Sequence, residues 1–252
     1  MDINDAFKFT SKMVFGQEIG ELNDYDGYFR EALAGKEEVS HFSKNKIFLT
    51  SDQYCKGAKF FDFEKEQAQM AKALAKPLSI NEIKDIDSLF RAVGEKLIYS
   101  GNKVLGNSRF VVDSDNVVDG MHVLNSSQVF SSKYIAYSYG IRKCDYTFAT
   151  TSSGECAATI RCFYNNNLRR SFECAYGVRS SDSHFCYKII GCNECMFTFN
   201  VNSKRYVIGN IQLEPMVYAE LKKKLIGEVI DELKMRKQLP FSIINIHKAE
   251  VP

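Results

Sequence analysis

The decapeptide YGIRKCDYTF at residues 139–148 returns as YGVRSSDSHF at 176–185, 37 residues further on. Tyr, Gly, Arg, Asp and Phe are identical in the two copies, and Val stands for Ile. Gly154 and Gly191 keep the same offset, so the match extends over 139–154 and 176–191. Self-similarity at a fixed spacing is the mark of a repeat architecture.

A shorter beat runs through the same stretch. Tyr134, Tyr146, Phe172, Phe185 and Phe197 follow one another at 12 or 13 residues, with one double step of 26. Cys144 to Cys156, and Cys162 to Cys174 to Cys186, are each 12 apart. Pairs such as Tyr146-x-Phe148 and Phe197-x-Phe199 alternate as strands do, which places both members on one face. Two architectures fit short strands on such a beat, an antiparallel meander and a β-solenoid. Hairpins favour Asn-Gly or Asp-Gly turns, yet these runs are separated by SSK, NNN, SSDS and CNE, and the one Asp-Gly within 101–213 is Asp119-Gly120. The solenoid is therefore the expected fold, with cysteines stacked in its interior as small, readily buried residues. Thirty-seven residues make two coils of about 18 or three of about 12. The larger coil is the expectation because it leaves room for aromatic rings inside. About six such coils would rise roughly 29 Å at an interstrand spacing of about 4.8 Å.

The chain divides around this stretch. No proline occurs between Pro77 and Pro215, and seven of the eight cysteines lie between Cys144 and Cys195. Residues 1–100 read as a mixed, mostly helical region. Asn4 or Asp5 opens a helix over about 5–14, Asp24 caps a second one ending at Gly35, KIFLT (46–50) is a strand, and 63–76 is helical. Ser79 and Glu82 have capping-box spacing, and Ile86, Leu89, Phe90 and Val93 continue at helical spacing to Lys96. Residues 101–213 are the solenoid. Residues 214–252 begin with Glu214-Pro215, and Val217, Leu221, Leu225, Val229 and Leu233 mark an amphipathic helix before Pro240. FSIINIH (241–247) has strand character. Exposed solenoid ends need covering, which gives the helix at 215–238 one end to cap and residues 80–100 the other. The fold expected is α+β: a right-handed parallel β-helix between a helical N-terminal region and a C-terminal capping helix.

The closing segment NSKRYVIGNIQLEPMVYAELKKKL (202–225) resembles that of uncharacterised prokaryotic Cys/Ser/Asn-rich β-helix repeat proteins. The shared positions are Asn202, Lys204, Tyr206, Ile208, Asn210, Tyr218 and Leu221. DSLFRAVGEK (87–96), with the NSRF and DSDN that follow, is similar to that family's opening segment. The resemblance spans about 85–238. It implies a parallel β-helix and supplies no established activity. Many of those proteins carry paired Cys-x-x-Cys zinc ribbons, whereas this chain has the single pair Cys192/Cys195. The coil pattern is more distantly similar to tubulin-cofactor-C and cyclase-associated proteins. Their Gln-x-Arg motif meets Gly140-Ile141-Arg142 here, without the Gln.

Composition narrows function. Lys and Arg number 33 against 31 Asp and Glu, a formal net charge of +2, which does not describe a nucleic-acid-coating protein. No stretch approaches 18 apolar residues, so no membrane span is expected. MDINDAFKFTSK is not a secretory signal, and cytoplasmic residence with reduced cysteines is expected. Cys192, Cys195, Cys186 and His184 invite a zinc reading, but Cys186 and His184 should point to opposite strand faces, so no metal or other cofactor is expected. Asp113, Asp115 and Asp119 are candidate acid–base groups, with an Asp-rich turn the commoner explanation. His41, His122, His184 and His247 are scattered. No nucleophile elbow or phosphate loop is present, and no catalytic residue is assigned. Arg142 and Arg179 occupy matching places in the duplication with Arg169 and Arg170 between them, so an aligned Arg row is the candidate partner-binding site. The expected function is a non-enzymatic scaffold that binds a protein partner or itself. The alternatives are a β-helix enzyme acting on a carbohydrate or other polar ligand through Asp113 and Asp115, and an RNA- or ribosome-associated factor using the Arg sites with Lys222–Lys224, Arg236 and Lys237.

Overall fold

A computed structural model describes residues 1–242 except 32, 34, 80, 82, 155, 167–168 and 176–179. The N-terminal region holds α1 (Ile3–Phe15), a 3-10 turn (Leu22–Tyr25), α2 (Asp26–Arg30), β1 (Lys36–Val39), β2 (Lys46–Leu49), β3 (Lys59–Asp62), α3 (Gln67–Leu74), α4 (Ile86–Lys96) and β4 (Ile98–Gly101). Then come β5 (Val104–Leu105), β6 (Arg109–Val112), β7 (Asp115–Val118), β8 (Met121–Leu124), β9 (Ser127–Phe130), β10 (Lys133–Ala136) and β11 (Tyr139–Arg142). They continue as β12 (Asp145–Phe148), β13 (Thr151–Gly154), β14 (Ala157–Ile160), β15 (Phe163–Asn166) and β16 (Arg169–Phe172). After these lie β17 (Asn193–Met196), β18 (Arg205–Ile208), β19 (Ile211–Gln212) and α5 (Pro215–Arg236).

Odd-numbered β5 to β15 form one parallel sheet and even-numbered β6 to β16 another. From β6 onward each parallel pairing advances by 12 residues, as in Lys133 with Asp145 and Asp145 with Ala157, while the first, β5 with β7, advances by 13. Single bridges carry the even sheet onward, Arg169 to Ser181 and Ser181 to Asn193. The chain is a parallel β-solenoid of about eight turns, rising roughly 38 Å at an interstrand spacing of about 4.8 Å. The coil is thus 12 residues, not the 18 expected from the duplication. Three such turns are 36 residues, so the 37-residue match is one position out of register.

The reason for a small coil lies in the backbone. Phe110, Asp113, Asn116 and Asp119 have φ of 55°, 48°, 57° and 53°, and among the described residues left-handed positions keep this three-residue spacing as far as Tyr206. Each coil therefore bends four times, and the residue two before each left-handed one points inward. Those inward residues are small or β-branched. Val117, Val123, Val129, Ile135, Ile141, Cys144, Thr147 and Thr150 are at most 1% exposed. No ring fits such an interior, and the expected interior aromatics are instead outside. Ser114, Ser126, Ser132 and Ser138 are tolerated inside because each of these hydroxyls works twice. Ser126 Oγ donates to the Leu124 carbonyl (2.7 Å) and accepts from the Ser138 amide one coil on (3.0 Å). Cysteine takes the same place, with the Cys156 amide on Cys144 Sγ at 3.3 Å. Buried polar groups satisfied in this way carry little penalty.

The aromatics build a second core on the outer flank of the even sheet. Asp2 caps α1, with Asp5 reciprocating, so the helix starts before the expected Asn4 or Asp5. It lies across β8 to β16, with Phe7 against Phe148 (5.4 Å between ring centroids) and Phe15 against Phe172 (4.8 Å). Val229, Ile230 and Leu233 of α5 join this core. Thus α5 leaves the end of the solenoid and runs along its flank. The last edge is instead covered by β19, which turns back antiparallel on β18 through Gly209 and Asn210, both at positive φ. At the other end β2 and the β3–β4 pair abut the first coils, and no residue of α4 is buried, so α4 is not the expected cap. FSIINIH beyond Ser242 and the Glu82 cap lie outside the described residues.

Candidate functional site

The outer face of the even sheet carries one column of left-handed residues, each 12 after the last. In its first half Phe110, His122, Tyr134 and Tyr146 stack with centroids 4.6, 5.0 and 5.0 Å apart and planes within 17°. After Ala158 the column becomes polar: Arg170, Asp182 and Glu194, then Tyr206. There α1 and α5 diverge, and a cleft of about 800 Å³ opens between them over these residues. Met13 and Phe15 of α1 form one wall, Ile226 and Ile230 of α5 the other, and Pro215 and Tyr218 line the cleft from the start of α5.

The expected α5 stripe holds at Val229 and Leu233, which are buried, and fails at its start. Val217 and Leu221 are 45% and 40% exposed, while Tyr218 is buried. The inward face runs Tyr218, Lys222, Ile226 and Ile230, with a lysine inside an apolar series. Lys222 Nζ lies 2.7 Å from Glu194 Oε2. Beside them His184, 3% exposed, points outward from the sheet, and its Nδ1 has no hydrogen-bond partner. Burial, helped by the Lys222 charge, pulls its pKa down to about 3. The Tyr218 hydroxyl is likewise buried, with no partner at hydrogen-bond geometry and the Glu194 carboxylate beside it. Burial and then the charge of Glu194 hold it firmly protonated. The cleft thus presents a neutral imidazole and a phenol among fixed charges.

Arg142 sits on β11 in the odd sheet, exposed, its guanidinium 5.1 Å from the Phe130 ring. Arg169 and Arg170 are exposed on β16 in the even sheet, and Arg170 alone of these lines the cleft. Arg142 and the Arg169–Arg170 pair therefore lie on different sheets of the solenoid. Arg179 lies outside the described residues. The Asp115 carboxylate is consumed structurally. It accepts from the amide and hydroxyl of Thr50 (2.8 and 2.6 Å) and from the amide of Lys103 (2.9 Å), tying the N-terminal unit to the first coil. Asp119 accepts from the Asn107 amide. Cys192 and Cys195 both enter the interior and His184 leaves it, so the three do not converge, and no described cluster of three or more His, Cys, Asp or Glu could hold a metal. Burial pushes the Cys195 thiol up to about 12. Sequence reasoning passed over Glu194 and Tyr218 as parts of a site. The signal was the 12-residue step from Arg170 through Asp182 to Glu194.

Protein-family models, curated proteins and solved structures give no match to the chain.

The His184 setting has a pH consequence. Between its ordinary 6.5 and about 3, the unfolded chain binds a proton that the folded chain does not. Stability therefore falls as pH drops through that window, by at most about 1.4 kcal/mol per unit. His184→Leu should flatten the stability profile between about pH 6 and 4 by roughly that slope. Urea midpoints across this range read it directly, and parallel profiles for the two proteins would contradict it.

Proposed function

We propose that the chain is a partner-binding scaffold whose principal contact face is α4. The observation that carries this reading is an apolar stripe left uncovered by the described residues. Ile86, Phe90 and Val93 on one side of α4, and Leu97 just past its end, are 61%, 69%, 40% and 43% exposed at helical spacing. The Asp85–Ser88 capping box supports the helix locally. An 11-residue helix is nevertheless marginal in water without a packed face, and contiguous exposed apolar surface marks interaction sites. A protein presenting a complementary apolar groove is the occupant that this stripe fits. The rigid solenoid supplies the platform. Among the described residues no helix is long and apolar enough to cross a membrane. Seven cysteines at interior positions suit a reducing compartment such as the cytoplasm.

Phe90→Asp tests the reading. Because Phe90 is exposed, the variant should melt within a few degrees of the parent, yet lose partner capture by about tenfold or more, as apolar anchors do. Quantitative affinity capture with mass spectrometry, paired with light scattering to detect a second copy as the partner, measures it. Equal capture and equal mass for the two proteins would end the proposal.

A further inference from the structure

The cleft between α1 and α5 is separate from the α4 face, and its lining specifies a ligand of its own. Two buried polar groups, His184 Nδ1 and the Tyr218 hydroxyl, have no hydrogen-bond partner although both residues line the cleft. Buried polar groups are rarely left unsatisfied, and a ligand seated between α1 and α5 would supply the partner. The charges select its sign. Lys222 and Glu194 neutralise each other, whereas Arg170, Lys223 and Asp182 form no ion pair among the described residues. The unpaired set sums to one positive charge. The phenol is a donor held in its protonated form. Phe15 on the α1 side and Ile226 and Ile230 on the α5 side give the cleft walls for an apolar body.

We propose that this cleft binds an amphipathic monoanion, a carboxylate carried on an apolar chain. The head lies towards Arg170 and the Tyr218 hydroxyl, and the chain lies along α5. The volume of about 800 Å³ is in the range of small-molecule sites. No covalent step is involved.

Octanoate, octylammonium and 1-octanol share one apolar chain and differ in the head, so calorimetric titration of each into the full chain separates charge from apolar filling. Octanoate should bind once, and octylammonium at least about tenfold more weakly. Tyr218→Phe keeps the ring and removes the donor, and it should weaken octanoate about tenfold, as loss of a hydrogen bond to a charged group does. Arg170→Glu, at an exposed position, should weaken it similarly while leaving octanol unchanged. In the unaltered protein, octanoate should move the Ile226 and Met13 methyl resonances, which locates the site without any variant. Octylammonium binding as tightly as octanoate, octanoate affinity unchanged in Tyr218→Phe, or no saturable binding up to about 10 mM would each overturn the proposal. Because α4 plays no part, failure here leaves the partner-binding reading standing.

Discussion

Arg161→Met should destabilise the fold by about 3–5 kcal/mol, although Arg161 touches no cleft and no exposed face. Arg161 and Glu173 lie one coil apart on the outer flank, their side chains 3% and 0% exposed, with Nε 2.9 Å from Oε1. Arg161 Nη1 donates to the Tyr28 carbonyl (2.9 Å) and to Glu31 (3.2 Å), and the guanidinium sits 4.2 Å from the centre of the Tyr28 ring. The Tyr28 hydroxyl donates to Glu173 Oε1 at 3.1 Å. The cluster is where α2 is fastened to the solenoid. Removing the arginine strands a carboxylate with no access to water, and that stranded charge dominates the loss. Arg161→Met combined with Glu173→Met should recover much of it, since two apolar side chains of similar size need no partner. Urea unfolding of the two single variants and the double variant at neutral pH gives the coupling. A single-variant loss below about 1 kcal/mol, or a double-variant loss equal to the sum of the singles, would contradict this account.

What could be read from the chain in advance divides along physical lines. A parallel solenoid was legible because repeats stack their equivalent residues, and the cysteines at 12-residue steps mark two such stacks, Cys144 with Cys156 and Cys162 with Cys174 and Cys186. The helix Ile86–Lys96 was legible from its own spacing, and the start of α5 from Pro215. The coil size was obscured by the aromatics. Tyr146 and Phe148 do share a face, as alternation predicts, because the residue between them, Thr147, enters the interior. That alternation holds for only one triplet, since the chain bends every third residue. Large rings drew attention as the core, yet the interior is Val, Ile, Ser, Thr and Cys, and the rings face outward beneath α1 and α5.

A rule for the coil was nonetheless present in the sequence. From Phe110 to Tyr206 no third residue in the left-handed series is Val, Ile or Thr. β-Branched side chains are strongly disfavoured at positive φ. Every cysteine of the solenoid, from Cys144 to Cys195, falls on the inward series. Reading the chain in threes would have given the 12-residue coil. The cleft was not legible in that way. Its parts come from α1, adjacent coils of one column and an α5 face interrupted by Lys222, and only packing brings them together. The burial of Arg161 was hidden for the same reason, because a charged residue at an outward position reads as solvated until a helix covers it.

An aspartate scan over three neighbouring residues tests the three-residue coil most directly. Val129 is fully buried, Ser132 is 1% exposed, and Ser131 between them is exposed at φ 49°. Aspartate at 129 or 132 places an unpaired carboxylate inside the coil, a loss of more than about 4 kcal/mol that should leave little folded protein at 37 °C. Aspartate at 131 points to water and tolerates a left-handed backbone, so it should cost less than about 1 kcal/mol. Circular dichroism melts of Val129→Asp, Ser131→Asp and Ser132→Asp supply the measurement. The three-residue coil predicts that 129 and 132 collapse while 131 melts with the parent. Collapse at 129 and 131 with 132 tolerated, the pattern of an ordinary two-residue strand alternation, would contradict it.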